Sequence, residues 1–408
     1  MKKPLAVLMI IVSLCGAAGA ASADIAPSVR GNALPTDAVT AVALPTVAAT
    51  AEAAALDINA PSVVLMEKET GTILFAKDEH TQREPASVTK VMTILLTMEA
   101  IDSGVLSYDS VVTASAHASS MGGSQIWLRE NEQMTVEEML KAVCVVSAND
   151  CAVALGEHLA GSEEAFVERM NRRAKELGMN DTTFQNATGL PAVGHVTSAY
   201  DIALMSRELI LNHPDIRKFT TIWMDSLRGG TSVLVNTNKL LRTFDGATGL
   251  KTGSTANARY CLSATAERDG MELIAVILRG ETSQTRFQDA RTLLNYGFSH
   301  YALRSIEPET PPPPIPVRLG AADAVEVAPD GSCLLLLDKD KAAALRQEVT
   351  LEETLTAPVE RGERVGTLTA YAGDELVAEI PLLTASDVPR VTYGQMFLRV
   401  LRMAFLDD

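Results

Sequence analysis

The pair best placed for covalent chemistry in this 408-residue chain is Ser87 and Lys90, in the run Ser87-Val88-Thr89-Lys90. On a helix, positions i and i+3 share a flank, so the lysine amine can reach the serine hydroxyl. A charged ammonium cannot act as a base. Burial disfavours the charged form, and a second cation nearby disfavours it further. Residues 86 to 98 carry Lys90 as their one charged residue, with Val88, Val91, Met92, Leu95 and Leu96 on one face and Ile94 and Met98 extending it. Such a helix is expected to be buried nearly all round, which would leave Lys90 neutral and able to take the Ser87 proton. The competing reading is a surface lysine after a capping serine, since Ser87 stands just beyond Pro85 where caps occur.

Two further clusters extend the chemistry. Ser147-Ala148-Asn149 follows a helical segment, and the 147 − 87 = 60 intervening residues allow its tip to fold back beside Ser87. There the Ser147 hydroxyl could pass a proton to a leaving amine, and the Asn149 amide could hold Lys90 and a substrate carbonyl. Taken alone, Ser and Asn at this place read equally well as a cap. Lys251-Thr252-Gly253-Ser254-Thr255 reads as a loop entering an edge strand, with Gly253 permitting close backbone approach. A substrate lying along that strand would direct its carbonyl to the N–H groups of Ser87 and Ser254, while Lys251, Thr252 and Thr255 face a carboxylate. Alone, this too is an ordinary turn. The ordered triple is what points to acyl transfer.

None of the six histidines, at 80, 117, 158, 195, 213 and 300, falls in these clusters, and the chain has no HExxH or paired-cysteine metal signature. A lysine-based acyl transfer is therefore favoured over a histidine triad or a zinc hydrolase, with no metal and no cofactor expected. His195, between Gly194 and a polar run, reads as a loop residue.

The elements that must carry these residues follow from periodicity. Strands are expected at 62–66 and 71–76, helices at 87–101, 136–146, 163–177 and 198–212, strands at 258–266 and 272–278, and a helix at 285–296. Strands at both ends of a helical stretch imply an α/β (α+β) sandwich, helices on an antiparallel sheet. The proline-rich run 306–316 reads as a linker, 317–388 as a small all-β domain, and 61–305 as the catalytic domain.

With 47% hydrophobic and 21% charged residues the chain can bury at least one large core. Lys2 and Lys3 precede the apolar run Leu5 to Leu14, and Ala21-Ser22-Ala23 offers small residues for cleavage, so 1–23 reads as a secretory signal and 24–60 as a flexible Ala/Thr/Pro-rich leader. A lipoprotein reading through Cys15 is disfavoured by the bulky Leu14. Loss of both lysines takes the net charge from −16 to −18, which argues against nucleic acid as a partner. Cys144, Cys151, Cys261 and Cys333 fit no zinc spacing. If one helix held Cys144 and Cys151, seven residues would separate them by about 10 Å, too far for a disulfide. Buried thiols are expected instead. In the last segment, 389–408, Phe397, Val400, Leu401, Ala404 and Phe405 form a stripe, with Met396 and Met403 beside it and Arg399 and Arg402 opposite. Too short to span a bilayer, this helix suits the headgroup plane, although Asp407 and Asp408 weaken that reading and a terminal helix packed on its own domain is the alternative.

With these residues in place, the chain resembles the low-molecular-mass penicillin-binding proteins, the D-alanyl-D-alanine carboxypeptidases of serine peptidase family S11. The likeness extends to Glu84-Pro85-Ala86-Ser87, to Ser147-Ala148-Asn149-Asp150-Cys151-Ala152, to Asn186-Ala187-Thr188-Gly189-Leu190 and to Leu293-Leu294-Asn295-Tyr296-Gly297-Phe298. It implies Ser87 as nucleophile, Lys90 as base, Ser147 and Asn149 as the second element and Lys251 as the third. It also implies a peptidoglycan stem peptide as substrate, binding of β-lactam antibiotics, and an extracytoplasmic, membrane-associated location. Arg286 stands where the family places an arginine for the terminal carboxylate, a role suited to a bidentate guanidinium. Ser254 departs from many relatives, which carry a ring-bearing residue there. A class A β-lactamase shares the triple but needs a deacylating acid; Glu208-Leu209-Ile210-Leu211-Asn212 spells that pattern 208 − 147 = 61 residues after Ser147, too far along, and reads as a decoy. A catalytically silent wall-binding scaffold is the third reading, opposed by the intact clusters.

Overall fold

The computed structural model describes residues 56–331 and 333–405, with side chains to Leu401. The expected signal and most of the expected leader lie outside them. Strands β1 (Ser62–Glu67) and β2 (Ile73–Lys77) open the fold. Helices α1 (Lys90–Asp102), α2 (Val136–Val145), α3 (Asn149–Ala160), α4 (Glu163–Glu176) and α5 (Ala199–Asn212) follow. A hairpin of β3 (Met224–Leu227) and β4 (Ser232–Val235) precedes β5 (Ala247–Thr255), β6 (Arg259–Arg268), β7 (Met271–Gly280) and α6 (Ser283–His300).

The main sheet has the order β2-β1-β7-β6-β5, antiparallel throughout, so the first strands are completed by the last ones and β5 is an edge. Its central strands are buried on both faces and read as continuous apolar runs for that reason. Val64, Met66, Ile274, Val276 and Leu278 face the core shared with α1 to α5, whereas Val63, Leu65, Leu273, Ala275 and Ile277 face α6. Sheet and helices therefore form the sandwich expected from the pattern.

Helix α1 is buried at ten of its thirteen positions, as its lack of charge implied. Its entry differs from expectation: residues Ala86–Thr89 form a 3-10 turn, and the α-helix starts at Lys90. In a 3-10 turn i and i+3 eclipse, which brings Ser87 directly under Lys90. Helix α2 opens on a capping box, in which Thr135 Oγ1 accepts from the Glu138 N–H while the Glu138 carboxylate accepts from the Thr135 N–H. The chain breaks after Val146, so Cys144 and Cys151 stand on different helices rather than one; both are free and buried. Lys251 to Thr255 lie within β5 itself, not in a loop before it.

Beyond α6, strand β8 (Tyr301–Ile306) pairs antiparallel with β9 (Cys333–Asp338). The boundary expected at 305/306 thus falls inside a strand that already belongs to the small β region. That region continues through β10 (Leu345–Leu351), β11 (Arg364–Ala372) and β12 (Glu375–Thr384) around its own core, with Leu368, Ala370, Ile380 and Leu382 at its centre. The final helix α7 (Tyr393–Phe405) leaves Phe397, Leu398 and Val400 exposed, while Arg399 donates to the Ala321 carbonyl and pairs with Asp323. Among the described residues no helix is long and apolar enough to cross a membrane.

Candidate active site

The fold brings the first and second clusters into direct contact at Lys90. Its amine lies 3.1 Å from Ser87 Oγ, 2.6 Å from Asn149 Oδ1 and 2.8 Å from the Thr188 carbonyl oxygen. Both of the last two can only accept, so they take two N–H bonds, and the lone pair of a neutral amine is left for the Ser87 hydroxyl. The side chain is fully buried; burial first, and then the charge of Lys251, hold its pKa well below the usual lysine range.

Asn149 is oriented in turn, donating Nδ2 to the Gly122 carbonyl at 2.7 Å. Its neighbour Asp150, also fully buried, accepts from the N–H groups of Ile126 and Leu128, each at 3.0 Å. The loop 122–128 is therefore pinned by the first turn of α3. Ser147 sits in the left-handed region at φ 65°, uncommon for a residue with a Cβ, and its buried Oγ has no hydrogen-bond partner. An unpaired buried hydroxyl is costly, and such a group fits one that waits for substrate.

Strand β5 closes the other wall. A Cβ added at Gly253 would meet the backbone nitrogens of Ser87 and Val88 at 2.8 and 2.9 Å, so only glycine lets the strand lie against the serine turn. Lys251 is buried and donates to the Thr252 carbonyl at 2.8 Å; burial, with Arg286 adding repulsion, brings it down to about 7. Thr252 Oγ1 lies 2.6 Å from Thr237 Oγ1, and the Thr237 N–H donates to the Val145 carbonyl. Thr237 thereby ties β5 to the end of α2, next to Ser147. Ser254 is exposed on the free edge, and Thr255 Oγ1 accepts from the Ala258 N–H.

Arg286, in the first turn of α6, is buried and donates Nη1 to the carbonyls of Gly253 and Cys261, both at 3.0 Å. It braces the strand from behind, and burial lowers its pKa to about 10. Burial raises the Cys144 thiol to about 12, so it is no nucleophile at neutral pH.

Three contributors escape a reading of the clusters alone. The Thr188 carbonyl is presented to Lys90 by a turn in which Asn186 Oδ1 accepts from the N–H groups of Thr188 and Gly189. Gly189 has φ 83°, and a Cβ there would fall 1.8 Å from the Ala86 carbonyl oxygen. This is the physical work of the run Asn186-Ala187-Thr188-Gly189-Leu190. His195 is the third: it is buried, accepts from the Gln185 N–H at Nδ1, and so carries its proton on Nε2, 2.8 Å from Thr89 Oγ1. Burial lowers its pKa to about 4, which makes it a neutral brace under the serine turn and no base.

Among the described residues, Glu99, Glu208 and His213 are the acidic and histidine groups close enough together to hold an ion. Arg173 already occupies that cluster, 2.7 Å from Glu99 and 2.5 Å from Glu208. Glu99 stands nine residues past Lys90, about 13 Å along α1, so Glu208 is engaged at the helix end remote from Ser87.

The family model described as D-alanyl-D-alanine carboxypeptidase, Peptidase S11, matches residues 47–282, and that of the penicillin-binding protein 5 C-terminal domain matches residues 309–390. D-alanyl-D-alanine carboxypeptidase DacF of Bacillus subtilis is 38% identical over 348 residues, which cover 84% of this chain and 89% of that protein. Among solved structures, penicillin-binding protein 6B from Escherichia coli is 32% identical with a TM-score of 0.66, covering 80% of this chain and 96% of that one. Penicillin-binding protein D2 from Listeria monocytogenes in its ampicillin-bound form is 33% identical with a TM-score of 0.53, covering 60% of this chain and 99% of that one.

Proposed function

Since the chain belongs to the D-alanyl-D-alanine carboxypeptidase family, Peptidase S11, we propose that its serine-type carboxypeptidase activity runs through Ser87, with Lys90 as the base. The enzyme removes the terminal D-alanine from peptidoglycan stem peptides through an acyl-serine intermediate. The observation that carries the assignment of roles is the contact set of Lys90, whose two N–H bonds are spent on Asn149 and Thr188 so that its lone pair meets Ser87.

In this reading neutral Lys90 takes the Ser87 proton as Oγ attacks the penultimate carbonyl. The oxyanion settles on the N–H groups of Ser87 and Ser254, each such donor contributing about 3 kcal/mol to the transition state. The substrate carboxylate meets Thr252 and Thr255 in the positive field of Lys251 and Arg286. Ser147 relays the proton to the departing amine, and water then hydrolyses the acyl-serine with Lys90 again as base. A β-lactam presents the same amide and carboxylate, but its leaving amine stays tethered to the acyl group and remains in the cleft. Water is kept out, and the adduct persists.

A β-lactamase reading loses its acid, because Glu208 is bound to Arg173 away from the serine turn. We further propose export through residues 1–23 and attachment to the outer face of the membrane by α7, supported by the exposed Phe397, Leu398, Val400 and Leu401. The deciding experiment is incubation of residues 24–408 with a peptide ending in D-Ala-D-Ala and with a fluorescent penicillin. Released D-alanine and a stable adduct, both lost in Ser87→Ala, are expected. Rapid penicillin turnover without peptide cleavage would instead support the lactamase, and no reaction with either the scaffold.

A further inference from the structure

The Thr188 carbonyl that accepts from Lys90 is carried by a turn, and that turn is held from a helix with no part in the three clusters. Glu163, the first residue of α4, accepts the Ala187 N–H on Oε1 at 2.9 Å, while its Oε2 lies 2.7 Å from His117 Nε2. The Ala187 carbonyl accepts from Thr93 Oγ1 at 2.7 Å, and Thr93 stands one turn past Lys90 on α1. Ala187 is thus gripped at its N–H from α4 and at its carbonyl from the helix that carries the lysine. The next carbonyl along the chain is the one Lys90 uses.

An acid at a helix start usually complements the helix dipole from the surface. Glu164 is exposed and suits that role. Glu163 differs: its side chain is only 14% exposed, it reaches a backbone group 24 residues away, and each of its oxygens is engaged. Held on Oε2 by His117, which belongs to the short helix Ala116–Ser119, the carboxylate cannot turn away from Ala187 without losing that bond. A backbone N–H on a carboxylate is also among the stronger hydrogen bonds. The charges that act on Lys90 are those of Lys251 and Asp150, and Glu163 is not one of them. Its influence on the lysine passes through the turn.

The geometry at Nζ says why this matters. A neutral amine has two N–H directions and one lone pair. Asn149 alone would fix one N–H and leave the lone pair two directions to choose between. The Thr188 carbonyl takes the second N–H and leaves the lone pair only Ser87. We propose that Glu163 is a positioning residue for this base: by holding the Ala187 N–H it fixes the Thr188 carbonyl, and so keeps the Lys90 lone pair on the Ser87 hydroxyl. The inference rests on the reading of Lys90 as base.

The test compares Glu163→Asp with Glu163→Gln in residues 24–408, measuring the rate constant for acylation by fluorescent penicillin across pH. Aspartate keeps the charge and suits a helix start but is one methylene too short to reach Ala187. Glutamine gives up the charge but keeps an oxygen at the same reach. Glu163→Asp is expected to acylate about 30-fold more slowly than wild type, and Glu163→Gln within about threefold of it. Both are expected to label to completion, so the rate constant reports folded sites, and to keep the wild-type pH profile. The reverse order, with aspartate fast and glutamine slow, overturns the inference, as does a shifted pH profile in Glu163→Gln, since either would make the charge the active feature. Equal rates in the two variants, whether near wild type or equally slow, overturn it as well. Wild type that does not acylate, or labelling that persists in Ser87→Ala, overturns the underlying assignment of Ser87 and Lys90 instead.

Discussion

Lys90 Nζ stands 2.6 Å from Asn149 Oδ1, and this contact decides what the lysine can do. The amide cannot turn over without losing its own bond to the Gly122 carbonyl, so it offers Lys90 an acceptor and never a donor. With the Thr188 carbonyl it occupies both N–H groups of the neutral amine. Asn149 therefore positions the Lys90 amine.

Replacing that acceptor by a charged one gives the sharpest prediction. In Asn149→Asp a carboxylate would stand beside the Lys90 amine and raise its pKa, leaving the lysine protonated at neutral pH. Acylation by fluorescent penicillin is expected to fall about 100-fold at pH 7 and to recover as pH rises towards about 10. A loss of the same size at every pH would show that the substitution harms only packing or substrate contact, and that Lys90 is not the base.

Gly253 makes a geometric prediction. The methyl group of Gly253→Ala would fall 2.8 Å from the Ser87 nitrogen and 2.9 Å from the Val88 nitrogen, both backbone atoms, so strand β5 or the serine turn must shift. A displacement near 1 Å at the nucleophile is expected to slow acylation about 100-fold while the protein still folds. Near-wild-type acylation with a normal melting transition would contradict the close approach.

The clusters were legible because their chemistry needs short, fixed spacings, and the order of the main elements was legible because helix and strand periods differ. Less visible were the groups that act through backbone atoms. The Thr188 carbonyl carries no side-chain signature, and Asp150 and His195 read as ordinary polar residues until burial shows what they hold. The placing of Lys251 to Thr255 inside β5 was missed because Gly253 and its flanking Thr and Ser residues are turn formers locally. Tertiary packing against Ser87 overrides that preference. The helix end at 146 was legible, but the new helix that starts at Asn149 and carries Cys151 was not, because Ser147 and Asn149 read locally as a cap, and it takes the positive φ of Ser147 to turn the chain between the two helices.

Lys251 sets opposing demands on stability and activity. Its folded pKa of about 7 lies below the ordinary 10.5, so between those values the unfolded chain binds a proton that the folded chain does not. Stability from this group is therefore lowest below pH 7 and rises through the window up to about 10.5, by up to about 5 kcal/mol. Lys251→Met is expected to melt higher than wild type at pH 6 and to lose most of that pH dependence. Carboxylate binding needs the cation, so kcat/KM on the D-Ala-D-Ala peptide should fall above about pH 7 in wild type and drop at least about 100-fold in the variant. A variant that is both less stable at pH 6 and equally pH-dependent would show that Lys251 is not held against its charge.

The helix α7 gives the last prediction, on attachment. Its Phe397, Leu398, Val400 and Leu401 are between 36% and 65% exposed, while Arg399 on the same helix is tied to Ala321 and Asp323. The polar side thus faces the β region and the apolar side faces solvent, the orientation a helix needs to enter a headgroup layer with the protein standing above it. Burying those four side chains would favour the bound state by about 4 kcal/mol, enough for reversible but not permanent attachment. Chain ending at Arg390 keeps the backbone pairing of Gly320 with Arg390, so the β region remains closed. Mixed with phospholipid vesicles and sedimented, full-length protein should pellet and the truncated form should stay in solution, with D-alanine release equal in both. Phe397→Glu combined with Leu401→Glu should behave like the truncation. Equal pelleting of all three forms would show that another surface holds the membrane, and pelleting of none would leave α7 as a terminal helix docked on its own domain.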